Sequence, residues 1–249
     1  MKFRSSSCAP LFTGTDGLTV AQDRTLTELL SKIKLTEKQA ETRDELIRKR
    51  DADIELPQGA KSLIEELVDQ EVYKYKTSFS SKETEKGTQV EDESIAVYNR
   101  LFFTDYKKLV ECDEHYEVSD EYSTGHPDII SLGEKKVIDI KSSFTKKSFP
   151  KFPEDGKNTT YEWQVKDYLR KLGWRHGEIA YVLSNTPEEL VGDWEEPSLH
   201  YADDIEDRLR VTVIPIELTD EDIKFMEGRY KAAYKYAEEF KLKLTNKNK

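Results

Sequence analysis

The stretch GHPDIISLGEKKVIDIKSS, residues 125–143, decides the fold. Its second half reads as a strand, with Val137, Ile138 and Ile140 apolar around Asp139 and Lys141. Residues two apart in a strand project to the same face, so Asp139 and Lys141 share one. Asp128 closes the preceding Gly-His-Pro run. There Gly125 permits close backbone approach, and Pro127 removes a donor and marks a bulge or strand edge. A turn at Gly133-Glu134 joining two antiparallel strands brings Asp128 near Asp139. Charges in such a strand call for a metal, a substrate or solvent, and two close carboxylates repel unless a cation sits between them. All-oxygen ligation favours Mg²⁺ or Mn²⁺, which retain waters and bind substrate phosphate. Lys141 is placed to hold a water or a phosphate and to stabilise developing charge.

Asp-x-Lys by itself decides little, since it recurs as Asp105/Lys107, Asp155/Lys157 and Asp222/Lys224. Context separates the copies: one follows a helix end, one lies in a Pro/Gly loop, and one follows an N-cap. Only Asp139 alternates with apolar residues in a strand.

Working outward, residues 1–24 read as irregular. Thr25 to about Arg50 is helical and highly charged, with a break near Leu35-Thr36. Pro57 starts a helix with Leu63, Ile64, Leu67, Val68 and Val72 at 3/4 spacing. A polar link, SFSSKETEKG, precedes a helix over 88–103 striped by Ile95, Tyr98, Leu101 and Phe102. After Thr104 the period changes to 2, and EHYEVSD and EYSTGHPDIIS read as two strands around a turn near Asp120-Glu121. A loop with Pro150, Pro153 and Gly156 leads to a helix stopped by Gly173. EIAYVLSN (178–185) and RVTVIPIEL (210–218) are further strands, and a long C-terminal helix has Thr219 as N-cap. This layout predicts an α/β or α+β fold on one mixed sheet.

Two helices add polar groups on inward faces. Glu91 lies four before Ile95 and seven before Tyr98, so its carboxylate belongs to the apolar stripe, away from Asp92 and Glu93. Gln164 and Tyr168, at i and i+4, share a face with Tyr161, Val165 and Leu172. An acid and an amide flanking a strand acid pair exceed what amphipathicity requires.

Pro127-Asp128, Asp139-Ile140-Lys141 and Gln164-x-x-x-Tyr168, in this order, resemble the PD-(D/E)XK nuclease superfamily. Within it they are similar to the RecB-type and YqaJ- or lambda-type phage exonuclease branch. Lys86-Gly87-x-x-x-Glu91 resembles that branch's helix with an extra metal-site Glu. The resemblance covers about residues 86–185. It implies a restriction-endonuclease-like core, a central mixed sheet flanked by helices, with a helical N-terminal extension over 1–80 and a catalytic core over 81–249 in one nuclease domain. It implies that Asp128, Asp139 and the Ile140 carbonyl bind Mg²⁺ or Mn²⁺, with Glu91 reaching that metal or a second one. Lys141 would position or activate the attacking water, and Gln164, supported by Tyr168, would orient the metal region or the DNA strand. Arg4 and Ser6, in Arg4-Ser5-Ser6-Ser7, resemble the segment such exonucleases use near a terminal phosphate. Lys146 and Lys147 are candidate DNA contacts or a solvated loop. The implied reaction is phosphodiester hydrolysis at the ends of linear DNA, in phage or mobile-element recombination or replication. The implied partners are DNA, a single-strand-annealing or recombination protein, and two further copies in a trimer. Iron–sulfur members of the branch use four cysteines; with Cys8 and Cys112 alone, no cluster is expected.

Bulk composition bounds these expectations. A net charge of −11 argues against a protein that coats nucleic acid nonspecifically, but not against an enzyme whose basic residues line a channel. No apolar run suits a membrane span, so no membrane partner is expected, and the cysteine usage points to a reducing, cytoplasmic compartment. Blander readings of each residue stand beside the sharp ones. They are turn capping and a solvated edge strand for Asp128 and Asp139, a helix-dipole carboxylate for Glu91, a partly buried amide for Gln164 and a core aromatic for Tyr168. His126 reads as solvent-facing. A structure-specific or single-strand endonuclease, or an inactive nuclease fold used as a binding module, are the alternative functions.

Overall fold

The computed structural model describes residues 1–14, 18, 20–77, 80–109 and 117–247; Cys112 lies outside them. Among the described residues seven α-helices follow in order: α1 (Val20–Ser31), α2 (Glu37–Asp51), α3 (Gln58–Tyr73), α4 (Lys82–Gln89), α5 (Glu91–Phe102), α6 (Thr159–Leu172) and α7 (Asp220–Thr245). The strands are β1 (Phe3–Arg4), β2 (Val118–Ser119), β3 (Ser123–Gly125), β4 (Ile129–Ser131), β5 (Lys136–Ser142), β6 (His176–Val182) and β7 (Val211–Glu217). This mixed α/β chain divides into two compact units, Met1–Ala9 with Tyr75–Ile223, and Pro10–Lys74 with Lys224–Lys249.

The first unit is built on a four-stranded sheet in the order β4-β5-β6-β7. β4 and β5 form the expected antiparallel hairpin, with Ile129 opposite Ile138. β5 and β6 are parallel, Asp139 lying beside Ile179, and α6 supplies the crossover that a parallel pair requires. β7 returns antiparallel to β6. Alternation gives this sheet two distinct faces. On one, Ile138, Ile140, Ala180 and Val182 pack against Ile95, Val97 and Tyr98 of α5. Each such apolar side chain contributes about 1.5–3 kcal/mol on burial. Tyr98 also donates a short hydrogen bond to Glu178 on this face. The other face carries Asp139 and Lys141, and α6 covers it. Its close approach depends on Gly177, where a Cβ would come within 2.8 Å of Val165 and 3.1 Å of the Val137 carbonyl.

Several sequence expectations change here. The predicted single sheet is two: β1-β3-β2 form a separate three-stranded sheet. EYSTGHPDIIS is not one strand. Pro127 lacks an N–H and biases His126 out of regular pairing, so β3 pairs with β1 and β2 while β4 joins the large sheet. The Asp120 turn holds as expected, its Oδ1 accepting from the N–H groups of Tyr122 and Ser123. Of EHYEVSD only Val118–Ser119 is strand, and residues 114–116 are outside the described chain. Most of the expected polar link is α4, N-capped by Ser81, with residues 78 and 79 not described. The helix expected over 88–103 therefore starts at Glu91. The irregular N-terminus contains β1, whose Phe3 is buried.

In the second unit α1 and α2 pack through Leu26, Leu29 and Leu46, and the predicted break between them is a capping box of Thr36 and Gln39. Pro57 caps α3, which buries Ile64 and Val68 on the predicted stripe. Tyr236 of α7 donates to Glu65 of α3 at 2.5 Å, and Phe12 meets the Tyr230 ring edge-on.

Because no side chain fits at Gly177, Gly177→Ala should lower stability by about 1–3 kcal/mol through overpacking. A urea or guanidinium midpoint equal to that of the unaltered protein would show that α6 is not held this closely.

Candidate active site

The charged face of β5 opens into a cavity of 630 Å³ whose lining includes Glu91, Asp128, Ile140, Lys141, Gln164 and Ser6. Five of the predicted site residues thus meet at one place from α5, the β3–β4 connection, β5 and α6, with Ser6 from the N-terminal segment. Asp139 stands behind them, 1% exposed and not itself part of the wall.

Asp139 is held from two sides. Gln164 Nε2 donates to its Oδ1 at 3.1 Å. Lys141 Nζ lies 2.7 Å from its Oδ2, an ion pair without the alignment of a good hydrogen bond. The Lys141 ammonium also sits 4.6 Å from the Tyr161 ring centroid, on the side facing α6. Burial disfavours the charged Lys141, yet the Asp139 and Asp128 carboxylates outweigh it and raise its pKa above the ordinary lysine value. Lys141 is therefore an ammonium at neutral pH and a donor toward the cavity.

Asp128 Oδ2 accepts from the Ile140 N–H at 2.7 Å, which fixes the carboxylate across the end of the β4–β5 pairing. Burial, and then repulsion from Asp139, push its pKa well above the carboxylate range. Glu91, in the first turn of α5, is engaged by Lys108 at 2.9 Å. Lys108 is delivered by the segment whose Leu109 N–H binds the Asp128 carbonyl. Nothing in the sequence around Lys108 marks it; it matters only because that segment runs beside Asp128. Among the described residues no three acidic, His or Cys side chains draw together as a ready metal cage. The pair Asp128 and Asp139, crowded carboxylates beside a half-aligned ion pair, nonetheless suits a hard cation that keeps most of its waters.

Behind the acids a chain of contacts fixes the helix. Gln164 Nε2 also reaches Tyr168 Oη at 3.1 Å, and Tyr168 donates to the His126 carbonyl at 3.3 Å. Tyr168 is thus a buried support and not part of the cavity wall. At Gly125 a Cβ would lie 2.5 Å from Ser5 Oγ and 2.6 Å from the Tyr168 ring, so glycine is required for the N-terminal segment and α6 to meet. Ser5 then donates to Asp167, which Ser123, Arg170 and Lys171 also contact. Opposite charges and hydrogen bonds outweigh burial, keeping Asp167 below the usual carboxylate range. His126 is solvent-facing, as the sequence suggested.

The remaining candidates are spread more widely. Arg4 is exposed on β1 and does not line the cavity. Lys147 lines a second cavity next to the first, and Lys146 lines neither. Lys86 is fully buried and donates to the carbonyls of Ser143, Phe144 and Ser184 at 2.6, 3.2 and 2.7 Å, tying the ends of β5 and β6 to α4. Burial pulls its pKa down to about 8.

Neither a family model nor a curated protein matches the chain. Solved structures do. A phage-related exonuclease from Haemophilus somnus 129PT aligns over 100% of this chain and 97% of its own at 21% identity, with a TM-score of 0.74. The fold is that of this exonuclease. An alkaline exonuclease, LHK-Exo, from Laribacter hongkongensis aligns over 78% of this chain and 87% of its own at 16% identity and TM-score 0.57. The LHK-Exo structure in complex with dAMP aligns over 97% and 96% of the two chains, at 15% identity and TM-score 0.53. The exonuclease fold thus extends across the whole chain, beyond the stretch 86–185 that carries the motif.

Lys86→Met should destabilise the protein by about 2–4 kcal/mol, because buried carbonyls are left without a donor. Denaturant unfolding measures it; an unchanged midpoint would mean that the lysine is dispensable to the strand ends.

Proposed function

We propose that the protein is a divalent-metal-dependent exonuclease that hydrolyses phosphodiester bonds from the ends of linear, double-stranded DNA. The observation that carries this reading is the convergence of Asp128, Lys141 and Gln164 on one cavity, with Asp139 pinned behind it. The exonuclease fold supports the same reaction class.

Asp128 and Asp139 would hold Mg²⁺ or Mn²⁺, with the Ile140 carbonyl and Glu91 as further oxygen donors. Such an ion supplies Lewis acidity at a phosphate oxygen and lowers the pKa of a bound water. The chain's own groups do the rest. Lys141, kept charged by its two acidic neighbours, donates to the attacking water or to a non-bridging phosphate oxygen, where negative charge accumulates. Gln164 keeps the Asp139 carboxylate from rotating toward the lysine, and Tyr168 keeps Gln164 in place. Glu91, through Lys108, anchors the start of α5 at the cavity rim. Ser6, on the cavity wall, is the N-terminal group that would meet the phosphate.

The role in phage or mobile-element recombination, the trimer and an annealing-protein partner belong to this proposal as its biological setting. Purified protein with Mg²⁺ should release nucleotides from linear duplex and leave closed circular duplex intact. Equal attack on both would remove the exonuclease part and leave a nuclease. Asp139→Ala should abolish hydrolysis under the same conditions; activity surviving that change would locate the chemistry elsewhere. Gln164→Ala should lower metal affinity or rate by about 10–100-fold. A rate and metal requirement equal to those of the unaltered protein would refute the positioning role.

A further inference from the structure

Beside the acidic cavity lies a second one of 460 Å³, and the two share Ser148, Tyr161 and Tyr181 in their walls. Its character is opposite. Lys147, Lys151 and Lys157 line it, with Asp155 as the single acid. The loop that forms it is firmly built. Phe149 packs with Leu183 and Ala202, Thr212 donates to the Pro150 carbonyl at 2.7 Å, and Tyr181 donates to the Gly156 carbonyl at 3.0 Å. Gly156 has no room for a side chain, since a Cβ would meet Ile214 at 2.8 Å and Tyr181 at 3.0 Å. The lysines therefore project from a rigid rim rather than a loose loop.

Two further observations point to a ligand. Among the described residues neither Lys147 nor Lys157 has an ion-pair partner, in a chain where acids outnumber bases by 50 to 39. The wall shared with the acidic cavity carries two tyrosine rings, 6.3 Å apart and tilted by 56°. One of them, Tyr161, holds the Lys141 ammonium on its face. Unpaired lysines around a cavity attract a phosphate, and aromatic faces suit a base or sugar.

We infer that this second cavity is a nucleotide-phosphate subsite, which receives the nucleotide next to the one being hydrolysed. This rests on the nuclease reading for the identity of the neighbouring site, but not for the binding itself. The ligand chemistry is a nucleoside monophosphate, either within a DNA strand or as the released mononucleotide. Lys147 and Lys157 neutralise its phosphate, and Tyr161 and Tyr181 separate it from Lys141 and the acid pair. Lys151 is turned partly inward, toward the carbonyls of Lys146 and Phe149, and helps to hold the rim.

The test is binding without turnover. Anisotropy of a fluorescein-labelled oligothymidylate is followed over a salt series in EDTA, with thymidine 5′-monophosphate as competitor. For Lys147→Glu/Lys157→Glu the expected result is about tenfold or greater loss of affinity. The slope of log K against log[salt] should be shallower by roughly 1.4, two phosphate contacts at about 0.7 each for a single strand. Lys34→Glu/Lys38→Glu, the same charge change on exposed lysines of the other unit, should keep the slope of the unaltered protein. If the monophosphate competes with the unaltered protein and not with the Lys147/Lys157 variant, the released nucleotide occupies the subsite. If the oligonucleotide alone is affected, the strand does. An unchanged slope, or an equal loss in both variants, overturns the inference. Hydrolysis assayed separately keeps the outcomes apart: a protein that binds as described but never cleaves DNA would defeat the nuclease reading and leave the subsite standing.

Discussion

A carboxylate in the interior of a sheet is tolerable only if its charge is met on the spot, and Asp139 is that carboxylate. Its neighbours along β5 are apolar, β6 pairs beside it and α6 covers its face, which leaves it 1% exposed. Lys141, two residues on, supplies the charge, and Gln164 from α6 supplies the aligned donor. The demand fixes the distance between α6 and the sheet: Gly177 lets the helix come close, and Asp139 needs it close. The rest of the site is arranged around this requirement. Asp128 is turned inward by the Ile140 N–H, and Tyr168 ties Gln164 to the chain entering Pro127.

Charge is distributed accordingly. The chain is strongly acidic overall, yet lysines meet two of the acids at the cavity, Lys141 at Asp139 and Lys108 at Glu91, while Lys147 and Lys157 line the adjoining space.

The central hairpin, the helix with Gln164 and Tyr168, and the C-terminal helix were legible because their signals are local. Two strands and a tight turn, a terminal Gly173, and a Thr219 cap each announce themselves within a few residues. The site pair followed from the hairpin. What stayed illegible depends on distant partners. α4 carries almost no apolar residues and reads as a linker, because its buried residue is a lysine whose acceptors are the ends of β5 and β6, about sixty and one hundred residues away. The third strand of the smaller sheet is invisible because β1 pairs with β3 across 120 residues. Lys108 carries no pattern of its own. The second cavity was half seen: Lys147 stood out in its basic run, but Lys157 joins it only through the fold of the Pro/Gly loop.

Gly125 has an evolutionary consequence. Its missing side chain is where Ser5 and Tyr168 both rest, so these three positions, far apart in sequence, form one unit of substitution. A larger residue at 125 would meet both side chains at 3.0 Å or less, so Ser5 and Tyr168 would both have to give way. Sterics impose this constraint independently of the chemistry of the acids.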